Sequence, residues 1–121
     1  MTDADAHYAR QLGGVPKPIS GLRTHAPEFF AGMAAARASI MAGDSPGGLD
    51  RAMKELLIII LDIAYDNPEG ALVHLEAGLK AGLTLEALRE ALLLTVYVGG
   101  IATWARYGQM IYEAALDMAG E

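Results

Sequence analysis

The sequence of 121 residues contains no cysteine. Disulfide bonds, thiolate nucleophiles, cysteine-ligated zinc and dithiol redox chemistry all require that side chain, so the composition excludes each of them. Histidine is also scarce, and His7, His25 and His74 have no spacing that would bring two of them to one face of a helix. The sequence therefore predicts no metal site.

Basic runs are missing as well, and the formal net charge is −6. Nucleic acids and anionic membrane surfaces attract clustered basic residues, so neither is an expected partner. The longest uncharged apolar stretch, 91–105, contains a Gly pair and falls short of the roughly 20 residues that a membrane-spanning helix needs. The N-terminus shows no basic start followed by an apolar segment, and we therefore expect a cytoplasmic protein.

Aromatic residues make up only 7% of the chain, whereas hydrophobic residues reach 53%. The apolar content is thus mostly Ala, Leu, Ile and Met, a composition that favours helices. A small helical monomer leaves much of each helix in contact with water, so this apolar content predicts a homo-oligomer. We expect a single domain over 1–121, with an arm and N-terminal helix in 1–25 and a helical core in 26–121.

Local signals predict an all-α fold of about six helices. The glycines and prolines of 13–21 predict a loop or extended arm. Helices are expected from Pro27 to near Gly43, from about Asp50 to Asp66, from Pro68 to about Ala81, from Thr84 to the Gly99-Gly100 break, and over 101–121. The run from Leu56 to Leu61 would face every side of its helix, so that helix should be central or covered by another subunit. Asn67 and Thr84 are the predicted N-caps of the helices that follow them.

Residues 55–114 carry four features in a distinctive order. A glutamate opens an apolar helix, a histidine lies in the next helix, "AGLTLEALREALL" follows, and "YVGG" comes after it. In this order the block resembles the carboxymuconolactone decarboxylase and AhpD-type alkylhydroperoxidase family. The resemblance implies an AhpD-like helical bundle, commonly assembled into trimers or hexamers.

The peroxidase branch of that family has a glutamate, a Cys-x-x-Cys pair beginning twelve residues later, and a histidine four residues after the second cysteine. On this sequence the glutamate is Glu55, the cysteine positions are Asn67 and Gly70, and the histidine is His74. Neither an amide nor a glycine can cycle between thiol and disulfide, so peroxide reduction by a cysteine pair is excluded. The resemblance therefore implies the decarboxylase branch, a cofactor-independent lyase or isomerase acting on a small anionic lactone or ring compound of aromatic catabolism. The substrate stays open, because this chain has "GGIATW" where that branch often has a proline after the Tyr-x-Gly turn.

Two residues are the predicted catalytic pair. Decarboxylation leaves a dienolate that must be protonated, and His74 is the side chain best suited to deliver that proton. Glu55 would hold one ring nitrogen and set the tautomer. The alternative for His74 is a core histidine whose hydrogen bonding is satisfied by one neighbour. The alternative for Glu55 is a solvated glutamate in the first turn of its helix, beside Lys54. Asp62, seven residues after Glu55, could add a second buried acid that raises one of the two pKa values.

An anionic substrate also needs a binding group. Arg106 is the leading candidate because Trp104 and Tyr107 bracket it and a guanidinium forks onto carboxylates. Trp104 is a further predicted substrate-binding residue. Tyr97 could donate its hydroxyl to an oxyanion or could merely anchor the core. Lys17 and Arg23 on the arm are secondary candidates.

A second class of function fits the same residues. A non-catalytic, oligomeric binding or scaffold protein could have kept the helical bundle after losing the redox pair. His74→Gln distinguishes the two classes, since it should abolish activity in a catalyst and change only stability in a scaffold.

Overall fold

The computed structural model describes residues 2–43 and 45–121. The regular secondary structure of these residues is helical, and they contain no strand. None of their helices is long and apolar enough to cross a membrane. Contacts divide the chain into two compact units, residues 1–48 and 49–121.

The first unit consists of three α-helices and a short 3₁₀ turn. The elements are α1 (Asp3–Leu12), the turn (Lys17–Ile19), α2 (Ser20–His25) and α3 (Pro27–Met41). Thr2 and Asp5 form a capping box at the start of α1. Tyr8 of α1 stacks on Phe30 of α3 with ring centroids 5.4 Å apart, in the centre of this unit's core.

Two predictions for this unit need correction. The arm predicted over 13–21 is non-helical only before the 3₁₀ turn, because α2 already begins at Ser20. The helical spacing of Phe29, Met33, Ala36 and Ile40 also suggests one packed face of α3, but these residues do not form its buried face. Phe29 and Ile40 are 61% and 65% exposed, whereas Phe30 and Ala34 are buried. The helix therefore leaves an apolar stripe on the surface.

The second unit carries the remaining helices. They are α4 (Arg51–Ala64), α5 (Pro68–Lys80), α6 (Leu85–Gly99), α7 (Ile101–Thr103) and α8 (Gln109–Met118), with a π turn (Trp104–Gly108) joining α7 to α8. Counting 101–118 as one helical run gives seven helices in the described residues, against about six expected. The core is built from buried side chains of α4, α5, α6 and α8, with Leu83 and Tyr107.

The helix starts follow the local chemistry. The side chain of Asn67 accepts a hydrogen bond from the Gly70 amide at 3.2 Å, and that of Thr84 accepts from the Ala87 amide at 3.0 Å. Both predicted N-caps are therefore confirmed. Gly100, with φ +90°, provides the predicted break after α6.

Helices α4 and α5 form an antiparallel hairpin. Their connection is three residues long, and Asp66 within it has φ +60°. Side chains near the start of α4 therefore lie beside the end of α5, and those near the end of α4 lie beside its start. This hairpin brings the predicted glutamate and histidine to the same place.

Candidate acid–base site

Glu55 and His74 meet as predicted. Nδ1 of His74 lies 2.7 Å from Oε2 of Glu55, and the Glu55 side chain has no solvent exposure. Nε of Arg51, one turn earlier on α4, donates to Oε1 of the same carboxyl group at 3.0 Å. One buried carboxyl group thus holds an imidazole on one oxygen and a guanidinium on the other.

The charge of Glu55 follows from these partners. Burial alone would raise the pKa of its carboxyl group, because removal from water disfavours the charged form. Hydrogen bonds from His74 and Arg51, and the charges of these two groups, outweigh burial and hold the pKa below its ordinary value. Glu55 is therefore a carboxylate at neutral pH.

The ionisation of Glu55 assigns the tautomer of His74. A carboxylate can only accept hydrogen bonds, so the short contact requires that Nδ1 of the imidazole carries a proton. The second nitrogen, Nε2, makes no hydrogen bond to the residues described. The ring keeps 16% of its side-chain surface exposed, so it is not sealed in the core. The arrangement fixes one nitrogen and leaves the other for proton transfer.

Close packing of α5 on α4 holds the pair in place. A Cβ atom at Gly78 would lie 3.3 Å from Cβ of Glu55 and 3.1 Å from Cδ2 of Leu83. The absence of a side chain at this position thus lets the two helices approach at the level of the glutamate.

We expect Gly78→Val to lower the free energy of unfolding by about 1–3 kcal/mol, because the branched side chain overpacks this contact. Gly32→Val is the matched control, since Gly32 lies within α3 and a Cβ atom there would meet no other atom within 4 Å. Urea unfolding followed by circular dichroism measures both variants. Equal effects of the two substitutions would show that the close approach at Gly78 is not needed.

Asp62 lies on the same face of α4, two turns after Glu55. Its Oδ1 accepts a hydrogen bond from the Asn67 side chain at 3.3 Å. Its Oδ2 is buried and has no partner, and among the described residues it is the one buried side-chain atom left so. Burial raises the pKa of Asp62, while the charge of His74 and the hydrogen bond from Asn67 lower it in part. The predicted cause, a neighbouring Glu55 charge, is therefore wrong, and desolvation takes its place.

Arg106 lies beside the α4–α5 turn. Its Nη2 is 3.9 Å from Oδ1 of Asp66, and its guanidinium lies 5.3 Å from the ring centroid of Tyr107. The Tyr107 hydroxyl donates to the same carboxylate oxygen of Asp66. The pKa of the Tyr107 hydroxyl is raised, mainly by that hydrogen bond and to a smaller extent by burial. Arg106 is thus an exposed, aromatic-stacked arginine, and its role in binding substrate stays a prediction.

The other predicted binding residues are placed differently. Tyr97 is 87% exposed, so its interpretation as a core anchor is wrong. Trp104 is partly buried and packs against the core. A Cβ atom added at Gly108 would lie 2.8 Å from the Trp104 ring. No hydrogen bond or ion pair among the described residues joins Tyr97, Trp104 or Arg106 to Glu55 or His74. Their part in substrate binding remains a prediction.

Sequence reasoning missed Arg51. The signal was available, because an arginine and a glutamate four residues apart lie on one helix face and can pair. The alternative for Glu55, a solvated side chain beside Lys54, would have needed no such partner. The pairing of Arg51 with Glu55 adds to the larger effect of His74 in keeping this buried carboxyl group charged.

The second unit also has a surface groove of about 500 Å³. It is lined by Ala105, Gln109, Met110, Glu113, Ala114 and Asp117. None of the predicted site residues lines it. Among the described residues, no three His, Asp or Glu side chains are grouped as metal ligands.

Comparisons with known proteins agree with the helical fold. The model of the carboxymuconolactone decarboxylase family matches residues 27–108. The crystal structure of a candidate carboxymuconolactone decarboxylase from Burkholderia xenovorans LB400 matches with a TM-score of 0.88 and 30% sequence identity, covering 97% of this chain and 89% of that one. A search of curated proteins finds no significant match. From its helical fold, its sequence match and this structural similarity, the chain belongs to the carboxymuconolactone decarboxylase family.

Proposed function

We propose that the protein is a cofactor-independent carbon–carbon lyase that decarboxylates a small carboxylated lactone or ring compound of aromatic catabolism. The observation that carries the proposal is the Nδ1 contact of His74 with the buried carboxylate of Glu55. Family membership supports the same chemistry, and the absence of cysteine excludes the thiol-dependent alternative.

The proposed reaction needs one proton transfer by the protein. As carbon dioxide leaves, the electron pair of the broken carbon–carbon bond moves into the conjugated lactone carbonyl and forms a dienolate. The imidazolium of His74 then gives its Nε2 proton to the dienolate carbon, and the neutral ring takes a new proton from solvent. Glu55 stays ionised throughout, orients the ring through Nδ1 and stabilises its charged form.

The substrate anion must be stabilised by residues other than His74 and Glu55. In this proposal Arg106 binds the substrate carboxylate, with Tyr97 and Trp104 lining the ring-binding surface. A guanidinium suits this task because it offers paired donors to a carboxylate and keeps its charge. The exposed position of Arg106 leaves its donors accessible to a ligand.

The direct test is to incubate the pure protein with carboxymuconolactone and to measure released carbon dioxide. The proposal predicts release at a rate well above that of the buffer alone. Absence of release, for this lactone and for related carboxylated lactones, would contradict the proposed reaction and leave family membership as the conclusion.

We also propose that the chain forms a homo-oligomer, a trimer or hexamer. Several large apolar side chains are exposed at helical spacing: Phe29, Met33 and Ile40 on α3, Leu57 and Leu61 on α4 with Tyr65 just after it, and Leu94 and Val98 on α6 with Ile101 at the start of α7. Monomeric proteins rarely leave contiguous apolar patches of this kind in water.

Sedimentation should therefore give a mass of at least three chains. Val98→Lys is expected to lower that mass, because a charge buried in a subunit interface is strongly unfavourable. Met118→Lys is the control, as Met118 is an isolated exposed residue at the end of α8. A monomer for the unmodified protein would contradict the proposed assembly.

A further inference from the structure

Asp62 and His74 belong to one side of the α4–α5 hairpin. Asp62 follows Glu55 by two turns on α4, and Gly70 precedes His74 by about one turn on α5. A Cβ atom at Gly70 would lie 2.8 Å from Oδ2 of Asp62. The Asp62 carboxyl group therefore fills the space beside residue 70. Glu55 lies level with Gly78, so the two carboxyl groups of α4 lie beside positions about one turn before and one turn after His74 on α5.

The fold itself gives no reason for an acid at position 62. The hydrogen bond from Asn67 needs only an oxygen acceptor, which an asparagine would also supply. The second carboxyl oxygen, Oδ2, is buried without a partner, and such a group destabilises the folded state. An acidic side chain kept at this cost points to a role other than packing.

The charged groups around the His74 imidazole, and the partners they already have, indicate which group the Asp62 carboxyl group could influence. From α4 these are Glu55 in direct contact, Arg51 through Glu55, and Asp62, whose charge and that of His74 stabilise each other. At the hairpin turn, Asp66 is engaged by Tyr107 and Arg106. The acidic residues of α8 that line the separate groove are Glu113 and Asp117.

We propose that Asp62 is a second positioning carboxylate, whose negative charge stabilises the imidazolium of His74 from the end of the hairpin opposite Glu55. The imidazolium is the form that gives up a proton in the proposed reaction, so the purpose of Asp62 rests on the proposed function. Its effect on the imidazole does not, and can be measured without a substrate.

The test is an NMR titration of the His74 ring protons in the full-length protein, in Asp62→Asn and in the control Asp117→Asn. Loss of one nearby charge should move the His74 titration midpoint in Asp62→Asn to lower pH, by roughly 0.5–1 pH unit. Asp117→Asn makes the same chemical change at an exposed site and should leave the midpoint in place.

A stability measurement separates this role from a structural one. Since burial raises the pKa of Asp62, its charged form destabilises the fold, and Asp62→Asn should raise the melting temperature at pH 7. The gain should vanish as the pH falls well below 3.8, the ordinary pKa of this group, because the wild-type carboxyl group is then protonated in both the folded and the unfolded state. An unmoved midpoint, or a variant that is less stable or does not fold at pH 7, would overturn the proposal.

Activity on carboxymuconolactone distinguishes the two proposals. A displaced midpoint in a protein that releases no carbon dioxide would support the role of Asp62 and contradict the proposed reaction. Carbon dioxide release together with an unmoved midpoint would contradict the role of Asp62 and support the reaction. If both hold, the alkaline limb of the pH–rate profile should move to lower pH in Asp62→Asn.

Discussion

His74→Gln is expected to lower the rate of carbon dioxide release from carboxymuconolactone by roughly 10²- to 10⁴-fold, the usual contribution of a positioned acid or base. Glutamine is a polar side chain of similar size that keeps a hydrogen-bond donor at this position. It cannot give up a proton at neutral pH. The fold and the subunit mass should therefore persist while the chemical step is lost.

The control for this variant is His25→Gln, which removes an exposed histidine from α2. It should leave the rate unchanged. If His74→Gln kept its activity while only its stability fell, the imidazole would be a structural residue and the scaffold alternative would gain support. A parallel size measurement excludes loss of assembly as the cause of lost activity.

Glu55→Gln is expected to affect both stability and rate. The substitution leaves Arg51 without its carboxylate and the imidazole without a charged partner, which should cost about 1–3 kcal/mol of unfolding free energy. It also removes the group that fixes the proton on Nδ1, so the rate should fall by up to roughly 10⁴-fold, as when other catalytic histidines lose the right tautomer.

Glu86→Gln is the matched control. Glu86 also pairs with an arginine on its own helix, at Arg89, but both side chains are exposed. A pair in water contributes at most about 1 kcal/mol, so this variant should unfold almost like the unmodified protein. Equal losses for the two variants would contradict the importance assigned to the buried position of Glu55.

The pH dependence of stability gives a second view of Glu55. Its pKa is lower in the folded chain than its ordinary value of 4.5, so its ionisation stabilises the fold above that pH. The contribution is lost as the pH falls from 4.5 through the folded pKa. Glu55→Gln should therefore show a smaller loss of stability between neutral and acidic pH than the unmodified protein does.

Local chemistry explains why parts of the fold could be predicted from sequence. Asn67 with Pro68, Thr84, and Gly100 each specify a helix boundary through groups within a few residues, and the structure has them as expected. The family pattern singles out Glu55 and His74, but their contact depends on the packing of α5 on α4, which the sequence alone does not give.

Other features depend on tertiary contacts that no local pattern reports. The π turn over Trp104–Gly108 shifts the register of the last helical run, and Ile101 before it is exposed while Ile111 after it is buried. The choice between Phe29 and Phe30 as the buried residue of α3 is likewise made by contact with α1. The unpaired oxygen of Asp62 likewise depends on the buried surroundings of α4, which no local pattern reports.

The tautomer of His74 tests the central claim most directly. In protein labelled with ¹⁵N-histidine, at a pH where the ring is neutral, Nδ1 should carry the proton and show a strongly deshielded N–H signal from its contact with Glu55. Nε2 should then appear as an unprotonated nitrogen. A proton found on Nε2, with Nδ1 bare, would contradict the account, because the carboxylate would not be holding the ring for proton transfer.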